Sequence, residues 1–557
     1  MATTGILRSR RSAAQLHALA SVEREIRATD PTVGRKYLRD YRDAYRSYDS
    51  VLTASQVRSA VAEADIVLVG DYHALPNSQR HVASLIRDAE VHRRPVVLGL
   101  ETIFSRDQHI VDEWFRGKID EAEFRERIRF DLDWGYDWAP FFELLSAARE
   151  HAVALYGLDC LPREDLRKIG ARDRHAADKV AEIRGRHPEA LILVLFGESH
   201  LAPKHLPSRV HDRLPEERIL TVLQNVDALY WRAAGEATDR VEAVQVREDV
   251  FCVFTATPLE KYENYRLCLD RWGRADSVSD LGPTVFNLID GLVQFLEINR
   301  YSAHNTTQPR LLVDLMPEVY SRNSDALLRR LLTRKGFSGD LRHALLRRVK
   351  ERGSVYLPPL NVVYVRQFQM ASAAEDAARF LHQACRGLPN RVNGKSPEPL
   401  APEDAFYAMV LENAIGYFGS RVLYPARPAF RDADLHELYE LTREDLQQQT
   451  ALPFADAVEV LDLLALHREF DRTRRPASIS NVETQLAASP LARAFTYPGR
   501  KYEYVTEQLG YLVGNDLYDA YLEGRLRPAA LRKLFLAHIE EPGAARNVYT
   551  DLNARLR

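Results

Sequence analysis

The chain has 557 residues with a formal net charge of −3, and 46% of its residues are apolar. This length predicts two or three domains, and the charge leaves no overall positive field that would draw the chain to nucleic acid or to an anionic membrane. No window approaches about eighteen unbroken apolar residues and the N-terminus has no apolar signal core, so we expect a cytoplasmic protein without a membrane span.

Residues 1–60 are charged and helical in pattern, which predicts an N-terminal helical arm. In residues 61–260, short apolar runs alternate with amphipathic helical windows. The runs are IVLVG, PVVLGLE, VALYGLD, LILVLFG, ILTVLQNV and VFCVF, beginning at residues 66, 95, 153, 191, 219 and 250. Continuous apolar strands that alternate with helices favour a mostly parallel sheet with helices on both faces. The sequence therefore predicts an α/β domain with about five or six strands.

Residues 275–557 consist mainly of helical windows separated by turns that contain Pro or Gly, which predicts a large α-helical C-terminal region. The loop at 393–404 is a candidate boundary within it. Two segments that contain glycine and tyrosine, 415–424 and 509–518, are weakly similar. We interpret them as two helices that use glycine for close packing.

The stretch 329–352 is strongly basic, with nine Lys or Arg residues and two acids on two helical windows. Such a stretch could form a helix-turn-helix surface that contacts phosphates, or the solvated face of an amphipathic helix pair. Because it lacks the Asn, Gln and interleaved aromatic residues of base recognition, we favour the solvated face. A nucleic-acid partner is not expected.

Acids and histidines follow four of the predicted strands. The first strand ends in GDYH at 70–73 and the fourth in GESH at 197–200, while Glu101 and Asp159 end the two between them. The carboxyl ends of parallel strands lie at one edge of a sheet, where ligands bind. We therefore expect the histidines of the two motifs to lie at the ends of neighbouring strands, with Glu101 facing the same cleft. Such side chains can act as general acids and bases or bind a metal.

These motifs resemble those of the superfamily that joins ChaN-type haem-uptake proteins, Tiki-type metalloproteases and erythromycin-esterase-like hydrolases. WGYDWAPFFELLSAAREHAVALYGLD at 134–159 and ARDRHAADKVAEI at 171–183 are also similar to family segments. The resemblance covers residues 61–230. Transferred to this chain, it implies a site formed by Asp71, His73, Glu101, Arg172, Asp173, Glu198 and His200.

The resemblance implies a hydrolase of the esterase or peptidase type that depends on a divalent metal or on acid–base chemistry. His73 would be the general base or a metal ligand, and Glu198 and His200 would complete the site. Glu101 would orient a ligand or water, and Arg172 would stabilise a developing oxyanion. A metal would be held by His73, Glu101 and His200. The alternatives are a ChaN-type carrier of haem or iron and a non-catalytic scaffold, so the expected partner is a small-molecule or peptide substrate, or haem.

The sequence departs from the ChaN pattern at one place. ChaN-type members usually have Glu after the first glycine and a pair of histidines a few residues later. Here the acid is Asp71, and the place of the pair falls near 77–79. His81 is one turn further along, and we expect it to face solvent. This departure argues against binding of haem or of two metal ions in the way that ChaN-type proteins bind them.

Overall fold

The computed structural model of the chain describes residues 2–30, 36–91, 94–160, 169–234, 241–273, 279–300, 315–321, 324–386, 400–473, 490–539 and 541–556. Contacts divide the chain into two compact units. The first unit is Met1–Arg8 with Leu19–Ser279, and the second unit is Ser9–Ala18 with Asp280–Arg557. Among the described helices, none is long and apolar enough to cross a membrane.

The first unit contains a sheet whose strands are β1 (Ser50–Leu52), β2 (Ile66–Asp71), β3 (Val96–Phe104), β4 (Ala154–Asp159), β5 (Leu191–Gly197), β6 (Ile219–Gln224), β7 (Ala243–Arg247) and β8 (Val250–Val253). Their order is β1-β7-β8-β6-β2-β5-β3-β4. The six predicted strands are all present, and each pairs in parallel with its neighbours among the six. The predicted mostly parallel sheet is confirmed.

The predicted number of strands is too low by two, because β1 and β7 were not foreseen. Both pair antiparallel at the β8 side of the sheet. Strand β1 has only three residues, none of them buried, so it contains no apolar run that a pattern could detect.

The helices of the N-terminal half are α1 (Ala2–Thr29), α2 (Lys36–Ala44), α3 (Ala54–Glu63), α4 (Pro76–Val91), α5 (Gln108–Phe115), α6 (Glu121–Arg127), α7 (Phe130–Asp133), α8 (Trp138–His151), α9 (Ile169–Arg186), α10 (Leu206–Arg213), α11 (Asp227–Ala233) and α12 (Pro258–Trp272). They cover both faces of the sheet. Along β2, Val67 and Val69 belong to a core cluster that includes α4 and α8, while Ile66 and Leu68 belong to another that includes α9 and α10. Both faces are apolar because successive strand residues point to opposite sides.

The second unit is mainly helical, as predicted. Its helices are α13 (Gly282–Phe295), α14 (Asp325–Arg334), α15 (Gly339–Arg352), α16 (Met370–Arg386), α17 (Pro402–Leu423), α18 (Asp432–Tyr439), α19 (Arg443–Thr450), α20 (Phe454–Thr473), α21 (Gly499–Leu522), α22 (Pro528–Phe535) and α23 (Ala544–Leu556). A small sheet has the strands β9 (Glu318–Ser321), β10 (Ser354–Leu357) and β11 (Val362–Val365), with β11 in the middle. Most of the candidate boundary at 393–404 lies outside the described residues.

The two similar glycine segments lie in α17 and α21, which pack closely against each other. A Cβ added at Gly510 would lie 2.8 Å from the carbonyl oxygen of Val410, and one at Gly514 would lie 2.6 Å from that of Ala414. No side chain fits at such distances. The interpretation of these glycines as close-packing residues is confirmed.

Candidate functional site

The ends of β2, β5, β3 and β4 lie side by side at one edge of the sheet. Strand β2 pairs with β5 so that Asp71 lies opposite Gly197, and β5 pairs with β3 on its other side. A cleft of about 870 Å³ opens at this edge, and His73, Glu101 and His200 all line it. The predicted convergence of the two histidines and Glu101 is confirmed.

His73 is bound on both sides by carboxylates. Its Nδ1 lies 2.7 Å from Oδ2 of Asp71, whose other oxygen accepts a hydrogen bond of 2.5 Å from Gln79, and its Nε2 lies 3.5 Å from Oε2 of Glu101. Burial disfavours the imidazolium, but the charges of Asp71 and Glu101 outweigh it and raise the pKa of His73 to about 9. His73 therefore carries an extra proton at neutral pH.

His200 forms a second pair of the same kind. Its Nδ1 lies 2.5 Å from Oδ1 of Asp173, and its Nε2 lies 3.8 Å from Oε1 of Glu101. The other oxygen of Asp173 accepts a hydrogen bond from the hydroxyl of Tyr37 in α2. The Tyr37 ring also stacks on His205, with ring centroids 3.6 Å apart. A carboxylate can only accept, so Asp173 places a proton on Nδ1 of His200 and leaves Nε2 to act on a ligand.

Glu101 stands between the two imidazoles and is held as an anion. Its Oε1 accepts a bond of 2.5 Å from Arg172, and its Oε2 accepts from the backbone N–H of Gly197. Burial alone would raise the pKa of Glu101, but the guanidinium of Arg172 and the proton of His73 hold it well below its usual range. Arg172 is only 4% exposed and also donates to both oxygens of Asp159, at 3.0 and 2.7 Å.

Glu198, the acid of the second motif, pairs with a lysine that the sequence did not indicate. Nζ of Lys261 in α12 lies 3.2 and 3.0 Å from the two oxygens of Glu198 and 4.5 Å from the ring centroid of Tyr72. Burial raises the pKa of Glu198, and the ammonium of Lys261 opposes that rise. The pair therefore gives the cleft a second charged group beside the two histidines.

Aromatic rings form much of the cleft wall. The ring centroids of Trp134 and Tyr136 lie 5.4 and 5.2 Å from that of His73, so two aromatic residues of the segment 134–159 line the site. Trp138 instead packs against Phe130, 4.9 Å away, in the core. The other aromatic residues of the wall are Tyr37, Tyr41, Tyr45, Tyr72, Tyr262, Tyr265 and Trp272, and the arginines are Arg27, Arg42, Arg46 and Arg172.

Two residues of the site were missed because they lie outside the motif region. Tyr37 belongs to the predicted arm, where tyrosines recur at positions 37, 41 and 45, a helical spacing that would place them on one face. That local signal could have found it. Nothing in the sequence around Lys261 marks it, because its role depends on how α12 packs.

His81 does not face solvent, contrary to expectation. It is half-buried, its Nε2 is buried with no hydrogen-bond partner among the described residues, and burial lowers its pKa to about 4. The reason is that α4 packs against α8 as well as against the sheet, so residues beside its core face are covered too.

The described residues contain no group of three or more His, Cys, Asp or Glu side chains that could hold a metal ion. His73, Glu101 and His200 lie close together, but the Nε2 atoms of the two histidines face different oxygens of the Glu101 carboxylate. The divalent metal predicted for the site has no support in this geometry.

Residues 57–192 match the family model described as "Haem-binding uptake, Tiki superfamily, ChaN". Two solved structures are similar. One, "Cofacial heme binding to ChaN of Campylobacter jejuni", is 14% identical with a TM-score of 0.25 and covers 31% of this chain and 86% of that chain. The other, the type III effector HopBA1, is 12% identical with a TM-score of 0.28 and covers 38% of this chain and 97% of that chain. No curated protein matches the chain.

Proposed function

We propose that the cleft is the active site of a hydrolase that works by acid–base chemistry. Residues 57–192 form a domain of the haem-binding uptake and Tiki superfamily, the resemblance that the sequence predicted. The observation that supports the proposal best is the pair of Asp–His units that face the two oxygens of Glu101. Two imidazoles that face one carboxylate can give and take a proton in the same reaction.

His200 is the base and His73 the acid of this reaction. A water molecule that attacks a carbonyl carbon loses its proton to Nε2 of His200. His73, which is cationic at neutral pH, donates its proton to the leaving oxygen as the carbon–oxygen bond breaks. This changes the expected role of His73 from base to acid, because the charges of Asp71 and Glu101 keep its proton in place.

Glu101 orients the two imidazoles. Its two oxygens lie 3.5 and 3.8 Å from the Nε2 atoms of His73 and His200, and after each turnover His200 releases its proton to water while His73 regains one from water. Arg172 holds Glu101 as an anion and fixes its orientation. Because Arg172 is buried and bound to two carboxylates, we assign it a positioning role in place of the expected contact with an oxyanion.

The aromatic walls suggest the class of substrate. A volume of about 870 Å³ is within the range of small-molecule sites, and tyrosine and tryptophan rings bind apolar or ring-shaped groups. We propose a substrate with a sizeable apolar or cyclic body and an ester-type bond that reaches Glu101 and the two histidines.

Haem binding is the second candidate function, favoured by the description of the matched family and by the aromatic cleft. The fit of the protein groups is incomplete. Haem iron takes a histidine nitrogen or a tyrosine phenolate as a ligand. Both candidate Nε2 atoms face Glu101, and burial raises the pKa of Tyr41 and Tyr72 well above the usual value, which disfavours phenolate. Bound haem would require the Glu101 carboxylate to move.

The experiment that tests the proposal is a survey of chromogenic esters with acyl groups of increasing size, using the full-length chain with and without a chelator. We expect turnover that a chelator does not abolish and that His200→Ala and Glu101→Gln each reduce by about a hundredfold or more. Equal turnover by wild type and His200→Ala would refute the proposal. A Soret band on adding haemin, lost in the same variants and without ester turnover, would favour haem binding.

A further inference from the structure

We propose that α14 and α15 form a surface that binds the phosphate backbone of duplex DNA without reading its sequence. The proposal concerns the second unit alone and is independent of the function of the cleft. Its basis is a set of cations that have no acidic partner within the described ranges, placed on two helices joined by a short turn.

The two helices are consecutive and are joined by a short turn. Helix α14 ends at Arg334, and α15 begins at Gly339 with Ser338 accepting a hydrogen bond from the backbone N–H of Leu341. The turn between them contains Gly336 with a φ of 77°, a conformation that favours glycine. Leu328, Leu332, Leu345, Leu346 and Val349 pack the two helices together in a small core that also includes β10 and β11.

The exposed face of α14 is basic. Residues 326, 329, 330, 333 and 334 are all exposed, at helical spacing, and three of them are arginines: Arg329, Arg330 and Arg334. Lys335 follows directly. Arg342 of α15 extends the patch, because it donates a hydrogen bond of 2.7 Å to the hydroxyl of Thr333 on the same face.

These five cations have no ion-pair partner within 4.0 Å among the described residues. Two of the neighbouring acids pair with other cations: Asp325 lies 3.4 Å from both Lys350 and Arg366, and Glu351 lies 3.9 Å from Arg347. A solvated helix face more often pairs its charges between successive turns. The exposed Asp340 at the start of α15 is the acid nearest in the sequence to Arg342, so the surface carries five cations and one acid.

Duplex DNA fits this surface because its backbone carries a dense row of negative charges, and contacts to phosphate need arginine and lysine but no base-reading side chains. The absence of Asn, Gln and aromatic residues, which made a base-reading surface improbable from the sequence, does not count against phosphate contact. Five phosphate contacts would give a log–log salt slope of about −4.5, a loss of affinity of roughly 500-fold between about 50 and 200 mM salt.

The test is the binding of a labelled duplex of random sequence to the full-length chain, followed by fluorescence anisotropy over that range of salt. The variant Arg329→Glu with Arg330→Glu and Arg334→Glu should lose binding at least tenfold and show a shallower salt slope. A matched control reverses three exposed arginines of the first unit that have no partner among the described residues: Arg58, Arg87 and Arg186. It should bind as wild type does.

The proposal is overturned if the duplex does not bind at low salt, or if the control loses affinity as much as the α14 variant. It is also overturned if vesicles rich in phosphatidylserine, or single-stranded DNA, bind more tightly than the duplex through the same residues. Because all six substituted side chains are exposed, a thermal melt should show each variant folded, so a loss of binding is not a loss of structure.

Discussion

The backbone N–H of Gly197 donates a hydrogen bond to Glu101, and an added methyl at Gly197 would lie 2.9 Å from Oε2 of that carboxylate. It would also lie 3.4 Å from Nε2 of His73. Gly197 has φ −50° and ψ 132°, a conformation open to any residue. The glycine is therefore needed for space around Glu101, and backbone freedom is not the reason for it.

Gly197→Ala should impair the site with little effect on the fold. The methyl must displace the carboxylate that both histidines face, so we expect at least a tenfold loss of ester turnover. The control is the glycine of the other motif: a methyl at Gly70 would lie 3.3 Å from the end of Leu201 and at ordinary contact distances, 3.6 and 3.7 Å, from Cβ and Cα of Glu198, so Gly70→Ala should keep most of its activity. Equal activity of the two variants would show that the space beside Glu101 is not required.

His73→Ala and His200→Ala should each reduce turnover by about a hundredfold or more, and the double variant should be little worse than either. The reason is that both imidazoles act in the same reaction, His200 as the base and His73 as the acid. Loss of His200 leaves one oxygen of Asp173 without a donor, so its cost in stability should be about 1–3 kcal/mol. His81→Ala is the control for activity, since His81 does not line the cleft. Wild-type turnover in His200→Ala together with a much lower melting temperature would make that histidine structural.

The fold and the convergence of the site could be predicted because each follows from local sequence. A continuous apolar run marks a strand buried on both faces, and the ends of parallel strands share an edge, which places His73 and His200 together. The contributions of Tyr37 and Lys261 could not be predicted in the same way. Their positions depend on how α2 and α12 pack on residues far away in the chain. The protonation of His73 depends on Asp71, 2.7 Å away and part of the same motif, and also on its 3.5 Å distance to Glu101, which no sequence pattern encodes.

Tyr37→Phe should weaken the site through Asp173. The variant keeps the ring that stacks on His205 but loses the hydroxyl that donates to Asp173. Asp173 then loses one of the two side chains that fix its orientation, so the imidazole of His200 is held less well and turnover should fall severalfold. Tyr41→Phe is the matched control, because the buried Tyr41 hydroxyl has no hydrogen-bond partner in the part of the chain that the structure describes. If both variants behave alike, Tyr37 has no positioning role.

Arg172→Ala should destabilise the protein strongly. It leaves Glu101 and Asp159 as buried carboxylates without their shared guanidinium, a change that costs about 3–5 kcal/mol of unfolding free energy. Arg174 lies on the same helix two residues later and is exposed, so Arg174→Ala should change stability by less than about 0.5 kcal/mol. Chemical denaturation of both variants measures the difference. A small effect at Arg172 would contradict its assignment as the counter-ion of Glu101.

The proton on His73 predicts how stability depends on pH. Its pKa is raised from 6.5 to about 9 in the folded chain, by the charges of Asp71 and Glu101 acting against burial. Below pH 6.5 both the folded and the unfolded chain bind this proton, and the full stabilisation is present. As the pH rises from about 6.5 to 9, only the folded chain keeps the proton, so the unfolding free energy should fall by about 3 kcal/mol and then level off.

Asp71→Asn is the variant that isolates this effect. The amide removes the charge that raises the pKa of His73 and should bring that pKa down by at least one unit, so most of the fall between pH 6.5 and 9 should disappear. Titration of the His73 imidazole by NMR, with denaturation at several pH values, measures both quantities. Ester turnover should also decline between pH 6.5 and 9, because His73 must be protonated to act as the acid. A rate that instead rises through pH 9 would make His73 the base and reverse the roles of the two histidines.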